Sequence, residues 1–488
     1  MSQIKFGTDG WRAVIAEDFT FSNVARVAQA TADYWGANPV AGTERKVVIG
    51  YDRRFFSDRF AQITAGVFAG NDFQVILTPE PTPTPSVSYA VKNLKAVGGV
   101  MITASHNPPI FNGFKLKSHF GGSSGPEECK GVEGMLDQNF VNFVSHHAFS
   151  HPLPTSNGDS RGEHNISIED IRPAHFKAIK ELVDFKLIAK SKLRVAHDAL
   201  FGVGAGVFET LLAKTNCKVT TLNGKYDVLF GGICPEPLPK NYALGGAQLR
   251  KNPHDICLVT DGDSDRIGAM DGRGNPMTNQ QVIALLLHHL VQNRGEGAKR
   301  GGRGVVTKTY NTTAMVDKMC AAWNLPLTEV GIGFRFIAPE LMKPGALYGA
   351  EESGSIGFAN HIPERDGLAA GLFLLEMLAM EKIPVNKIYA ALEKEFGPHR
   401  YGRYDAYYPL EKRAALMESL KANPPAKLLR SPLAKVDARD GVKFVAEDST
   451  WLMLRGSGTE PVLRIYAEGK SDADMQKLLK LGKSLLRG

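Results

Sequence analysis

The chain of 488 residues contains no run of about 18 apolar residues, the length a helix needs to cross a bilayer, so no membrane-spanning segment is expected. It also contains no block of like charge. The formal net charge of +7 comes from Lys and Arg scattered through mixed sequence. That pattern does not support a nucleic-acid-binding tail or stripe, and it suits, diffusely, small acidic substrates. Cysteine is scarce. Cys129, Cys217, Cys234, Cys257 and Cys320 are odd in number, far apart and form no CxxC. They argue against a disulfide framework or a zinc site and for a reducing compartment. The opening MSQIKFGTDGWRAVIAEDF has no apolar segment behind a basic one, so a cytoplasmic protein without a secretory leader is expected.

What is present is ordinary for a globular protein: 43% hydrophobic and 22% charged residues. The length implies about three or four domains. Three segments share one plan, a short apolar run followed by a helical stretch. They are KVVIGYD (46–52) before residues 57–70, LRVAHD (193–198) before the Gly-rich FGVGAGVFETLLA, and GVVTK (304–308) before NTTAMVDKMCAAW. In the last, Asn311 or Thr312 is the expected helix cap. Buried strands alternating with helices point to α/β units with parallel-leaning sheets, possible internal duplicates. The C-terminal stretch differs: two strand-like runs flank RGSGTEP, and SDADMQKLLKLGKSLL closes it as a helix. The expected boundaries are 1–186, 187–298, 299–398 and 399–488. Residues 145–165, rich in Ser, Pro and Gly, read as a surface excursion.

Four loops carry chemistry. TDGDSDR (260–266) follows the strand ICLV and alternates Asp261, Asp263 and Asp265. Carboxylates this close repel one another, and a hard divalent cation offsets them; a solvated polar turn is the alternative. An EF-hand is excluded, because counting from Asp261 places Arg266 at position 6 and Gly272 at position 12. In VMITASHNPPIFNGFKLKS (100–118) the strand ends on Ser105 and His106, with Lys115 further on. Ser105 is either a turn former or a nucleophile for phosphoryl transfer, and no GxSxG elbow surrounds it. RGSGTEP (455–461) offers the Arg455 fork, the hydroxyls of Ser457 and Thr459 and a glycine-broken anion nest, or else is a solvated hairpin loop. GAEESGSI (349–356) brings Glu351, Glu352 and Ser353, which can grip polyol hydroxyls or face water. The charges of HIPERDG (361–367) are expected to cap the helix that follows.

In this order TASHNP, DGDSDR, AEESG and RGSGTEP, with FGTDGWR (6–12) ahead of them, resemble the loops of the α-D-phosphohexomutase superfamily over essentially the whole chain. The resemblance implies three similar α/β domains with mixed sheets, and a C-terminal α+β phosphate-binding domain, around a central cleft. It implies that Ser105 carries a phosphoryl group and that Mg²⁺ is held by Asp261, Asp263, Asp265 and an oxygen of that group. Lys115 matches the family's general acid/base, which needs a lowered pKa, and His106 orients the loop. Arg266 would face the reacting phosphate. Arg12, Arg455, Ser457, Gly458, Thr459 and Arg464 would hold substrate phosphate, Glu351 and Ser353 the sugar, and Lys308 either. The expected substrates are hexose phosphates, with glucose 1,6-bisphosphate as activator and no nucleic-acid or membrane partner, in a monomer or homodimer. The EES form of the sugar loop and HIPERDG are similar to glucose-preferring relatives, so interconversion of glucose 1-phosphate and glucose 6-phosphate is expected. A glucose-1,6-bisphosphate synthase or a mannose-preferring enzyme would use the same residues. A non-catalytic sensor is disfavoured, since Ser105 and all three aspartates are present. Departures from the family pattern are the extra Ile332–Gly333, Arg335 at a lysine position, Gly456 and Ser355.

Overall fold

Short β-branched runs build four sheets in the computed structural model, which describes residues 4–7, 9–145, 165–293, 302–456 and 461–486. The first sheet runs Trp11–Val14, Phe111–Ser118, Ala96–Ile102, Glu44–Tyr51, Gln74–Leu77, Ile166–Ile168 in spatial order. Its last four strands are parallel and the first two antiparallel. Val47, Val48, Ile49, Val100 and Ile102 are fully buried, as strands covered by helices on both faces must be. The second sheet runs Pro276–Met277, Ile267–Asp271, Ile256–Thr260, Arg194–Asp198, Lys218–Leu222, with the last three parallel. The third runs Leu327–Val330, Val305–Thr309, Ala346–Glu351, Ser355–Phe358, with only the last antiparallel. All three are mixed sheets of one design, as the sequence implies. The fourth, Arg400–Tyr407, Val462–Gly469, Trp451–Gly456, Val442–Ala446, Ser431–Asp437, Lys427–Leu428, is antiparallel throughout. Helix Asp472–Ser484 covers it, capped by Ser471.

One topological position recurs. In each of the first three sheets an inner parallel strand turns back as an antiparallel neighbour, and the connecting hairpin carries the singled-out residues. Ile102 leads to Phe111 through Ser105, Thr260 to Ile267 through the aspartates, and Glu351 to Ser355 through Ser353. In the fourth, Gly456 leads to Val462 through the RGSGTEP loop. Ligands of α/β sheets gather at the carboxyl ends of strands, where these loops lie.

The second and third domains share one core, centred on helix Gly367–Glu381, whose residues 367–379 are all buried. The cap of helix Ala314–Ala322 is Thr313, which accepts from Met315 N, and not Asn311 or Thr312. Those two are spent elsewhere, Asn311 on Glu352 and Thr312 on Thr309. The excursion expected at 145–165 falls, from residue 146 to 164, outside the described residues.

Candidate active site

Ser105 is fully buried and adopts φ +52°, a left-handed conformation that costs a non-glycine residue and must be held by its surroundings. The holding group is Arg54. Its guanidinium donates to the carbonyl oxygens of Ser105 and Asn107 (2.8 and 2.7 Å) and of Pro108 and Phe111 (2.8 and 2.9 Å). Asp52 balances that charge at 3.1 Å and accepts from the Thr103 hydroxyl at 2.6 Å, which in turn accepts from Ser105 N. A rigid donor fork suits this task and an ammonium does not.

The Ser105 hydroxyl donates to Asp261 Oδ2 at 2.8 Å, and the His106 Nδ1 atom lies 3.4 Å away. Burial and the cations Arg266 and Arg12 keep the His106 pKa well below its ordinary value, so the ring is neutral. The two loops touch through backbone as well. A Cβ added at Gly262 would sit 2.6 Å from the Ser105 carbonyl oxygen, so only glycine permits the approach.

Asp261, Asp263 and Asp265 are fully buried and each places a carboxylate oxygen within 4.8 Å of the others. Burial, and then the two neighbouring carboxylates, push the Asp261 carboxyl well above the usual range. Asp263 goes the other way: burial opposes it, but the Lys115 ammonium outweighs burial and holds it low. Thr84 donates to Asp263 Oδ2 at 2.7 Å. Asp263 Oδ1 and Asp265 Oδ1 are buried with no hydrogen-bond donor among the described residues. Orphaned, converging carboxylate oxygens are the ligand set of a hard divalent cation, and Mg²⁺ fits them.

Lys115 lies on strand Phe111–Ser118, fully buried, with Nζ 2.8 Å from Asp263, 3.1 Å from Asp265 and 2.9 Å from Asp9. The lowered pKa expected for it is not what this geometry gives. Burial works against the charged form, but the three carboxylates outweigh burial and raise the pKa above its ordinary value. Arg266 lies 3.9 Å from both Asp261 and Asp265, and its backbone N–H donates to Asp261. Arg12 donates to the Asn107 side chain at 2.7 Å, beside the Ser105 loop.

Ser353 bonds the Ser355 hydroxyl at 2.9 Å, and Glu351 is buried at the head of the same hairpin. That hairpin joins the aspartate loop directly: Ile267 N donates to Gly354 O, and Arg266 bridges Ser355. Glu352, between Glu351 and Ser353, turns away to accept from Tyr401 OH at 2.7 Å. Arg455 donates to Asp440 at 2.8 Å and stands opposite Arg464 in the strand pair. Ser457, Gly458 and Thr459 lie outside the described residues. Lys308 is not brought to this group. Its buried ammonium pairs with Asp317 and lies 3.6 Å from Glu329, at the edge of the fourth domain.

Sequence reading missed several members. Arg365 Nε donates to Asp265 at 2.7 Å and its other nitrogen binds Asp9. Glu364 accepts from buried Lys117 at 2.6 Å and from Ser123 at 2.8 Å. Asp366 caps its helix as expected, through one oxygen, while the other accepts from His175 (2.7 Å) and His361 (2.8 Å). With Ser86 on His175 Nδ1, this knot fastens the first domain to the third. HIPERDG is thus a hub as well as a cap. The available signal was the charged run PERDG (363–367) ahead of its helix.

Family models for phosphoglucomutase/phosphomannomutase match in order: alpha/beta/alpha domain I at residues 3–141, domain II at 173–274, domain III at 278–396 and the C-terminal domain at 411–480. A phosphoglucomutase/phosphomannomutase from Thermococcus kodakarensis is 28% identical over 486 residues, covering 99% of this chain and 98% of its own. A phosphoglucosamine/phosphogalactosamine mutase from Sulfurisphaera tokodaii is 26% identical and covers 99% of both. The crystal structure of a protein from Thermus thermophilus, provisionally described as a phosphomannomutase, superposes with a TM-score of 0.84 at 31% identity and full coverage of both chains. With four family domains in sequence, the hairpin loops in their four sheets, and a buried serine against three aspartates, the chain belongs to the phosphoglucomutase/phosphomannomutase family and is an intramolecular phosphotransferase.

Proposed function

We propose that the protein is a phosphoglucomutase, interconverting glucose 1-phosphate and glucose 6-phosphate through a phosphorylated Ser105 and glucose 1,6-bisphosphate. One observation carries the reading: the Ser105 hydroxyl is held 2.8 Å from Asp261, inside a buried cluster of three aspartates and Lys115. Such a cluster suits phosphoryl transfer, where positioning and charge stabilisation do most of the work.

Asp261, Asp263 and Asp265, with an oxygen of the phosphoserine, would hold Mg²⁺, which supplies positive charge to the transferring phosphoryl group. A sugar hydroxyl attacks phosphorus as the bond to Ser105 breaks. Lys115, protonated as found, gives its proton to the departing serine oxygen and takes the one released by the attacking hydroxyl. Arg266 faces the reacting phosphate. Arg12, beside the Ser105 loop, contacts substrate phosphate, Arg455 and Arg464 with the RGSGTEP loop hold the distal one, and Glu351 and Ser353 grip ring hydroxyls in either orientation. Arg54 keeps the serine loop in its strained shape throughout.

The relatives carry names for glucose, mannose and glucosamine phosphates, so the sugar is the part to test. Phosphorus NMR of the protein turning over glucose 1-phosphate with Mg²⁺, primed by a trace of glucose 1,6-bisphosphate, should show glucose 6-phosphate appearing without accumulation of bisphosphate. Faster turnover of mannose or glucosamine phosphates would move the assignment to that sugar. Bisphosphate building up from a second phosphorylated donor would make the enzyme a glucose-1,6-bisphosphate synthase.

A further inference from the structure

A cavity of about 1070 Å³ lies between the first and second domains and includes none of the residues placed in the phosphotransfer site. Its walls join charge to flat apolar surface. Among its ionic groups, Arg172 is spent on Asp170 (2.7 Å) and Glu80 (3.0 Å). With Arg53, Lys177, Lys180 and Glu181 counted beside that trio, the lining carries four cations against three acids, an excess of one positive charge. Arg53 donates to the backbone carbonyls of Phe201 (3.3 Å) and Gly224 (3.0 Å), and its guanidinium lies over the Tyr226 ring. Lys180 lies over the Phe185 ring. Tyr226 is more than half exposed, and Phe176 and Phe185 add further ring surface.

The cavity also absorbs the Gly-rich FGVGAG, which the phosphotransfer reading leaves unused. One face of this turn presses on the aspartate loop: Val203 N donates to Gly262 O at 3.1 Å, and a Cβ at Gly202 would meet that oxygen at 2.7 Å. On the other face Val203, Ala205 and Gly206 line the cavity. Arg53 adjoins Arg54, the anchor of the Ser105 loop. The cavity walls are therefore continuous with both loops that meet at Ser105 and Asp261.

We propose that this cavity is a regulatory site for a nucleotide, with phosphates on Arg53, Lys177 and Lys180 and the base against Tyr226, Phe176 and Phe185. The cations suit an anion, and the exposed Tyr226 ring with the half-buried Phe176 and Phe185 rings suits a flat partner. An occupant that touches Arg53, beside the anchor of the Ser105 loop, and the 203–206 turn, which presses on the aspartate loop, acts on turnover by its differential affinity for the arrangements of those two loops. The binding stands without the sugar assignment; the effect on turnover rests on the proposed mutase reading.

The test is anisotropy of a fluorescent ADP analogue (mant-ADP) on the intact protein, with unlabelled competitors. ADP should displace it, while adenosine and pyrophosphate should each compete at least about 10-fold more weakly, since each supplies half of the contacts. Glucose 6-phosphate should not displace it. Lys177→Glu with Lys180→Glu, both outside the phosphotransfer machinery, should weaken binding at least about 10-fold and leave basal activity within about twofold. As a second variant, Tyr226→Ala should weaken ADP and leave pyrophosphate unchanged. ADP should alter kcat or KM of the wild type and not of the double variant. Absence of binding up to about 1 mM, displacement by glucose 6-phosphate, or indifference to both variants overturns the site. Binding with unchanged kinetics in an active mutase overturns the regulation. Inactivity toward every hexose phosphate overturns the mutase reading and leaves the binding result to stand alone.

Discussion

Two seams of this molecule are built from different materials. Where the first, second and third domains meet, at Ser105, the contacts are buried and ionic. Lys115 sits among three carboxylates, Arg365 joins Asp265 to Asp9, and Lys117 meets Glu364, nearly all without solvent. Where the third and fourth domains meet, an apolar plug does the joining. Ile332 packs with Tyr310, Trp451, Met453 and Tyr466, and around it lie single polar links: Ile332 N to Asp440 (2.9 Å), Arg439 to Glu329 (3.0 Å), Ala314 N to Glu468 (2.9 Å). Arg439 is half exposed there. In the first seam the buried cations Lys115, Lys117 and Arg365 each meet carboxylates, so removing one strands its partners. The second can part by exposing a modest apolar patch and trading a few hydrogen bonds for water, which costs far less. The rigid seam is the one that holds the reacting serine. The separable one carries Arg455.

The largest effects should come from the ionic seam. Ser105→Ala removes the group that receives the phosphoryl, and turnover should fall about 10³-fold or more while Tm and sugar-phosphate binding are retained. Retained activity in a steady-state assay would remove Ser105 from the chemistry. Arg54→Met should act through the fold instead. It leaves Asp52 buried without its cation and four carbonyls without their donor. A loss of about 3–5 kcal/mol in the first unfolding transition, seen by urea titration, is expected, together with loss of activity. Arg54→Lys should recover only part of both, since an ammonium cannot reach four acceptors in a plane.

These two residues also mark how far the sequence could be read. Ser105 was legible because it breaks an apolar run at a strand end beside other unusual residues. The same rule found helix Ser57–Gly70 end to end and strand Ile256–Thr260. Arg54 was not legible, because its acceptors are backbone carbonyls some 50 residues away, and any residue can supply a carbonyl. Lys115 and Lys117 alternate with Phe114 and Leu116, a pattern that reads as one wet face. Both are fully buried, neutralised by acids 148 and 247 residues distant. Periodicity reports the strand but not its far partners. The extra Ile332–Gly333 is a departure from the family pattern at sequence level; only packing makes Ile332 the plug of the second seam.

The apolar seam should respond more mildly and in a different parameter. Asp440 accepts from Arg455 Nε with one oxygen and from Ile332 N with the other, so it fixes the guanidinium relative to the third domain. Asp440→Ala should raise KM for the sugar phosphate about 10-fold and change kcat by no more than about threefold. Ile332→Ala should shift KM in the same direction. An unchanged KM in both would mean that the seam does not position Arg455. A fall in kcat as large as that of Ser105→Ala would erase the contrast between the seams.

The smallest effect is the most specific to the second seam. Lys443 is buried over the Trp451 ring with its ammonium on Tyr310 O, near Lys308 and with Glu329 3.9 Å away. Burial first, then repulsion from Lys308, lower its pKa from the ordinary 10.5 to about 8. Between these values the unfolded chain holds a proton that the folded protein has released. Stability therefore rises with pH across that window, and the gain is lost as pH falls through about 8. Lys443→Met keeps the apolar stem and removes the charge. At pH 7 it should stabilise the fourth domain's unfolding transition by about 1–2 kcal/mol, and the advantage over the wild type should shrink steadily from pH 8 to pH 10.5. A pH-independent difference would mean that Lys443 titrates normally and that its seam is wetter than its packing implies.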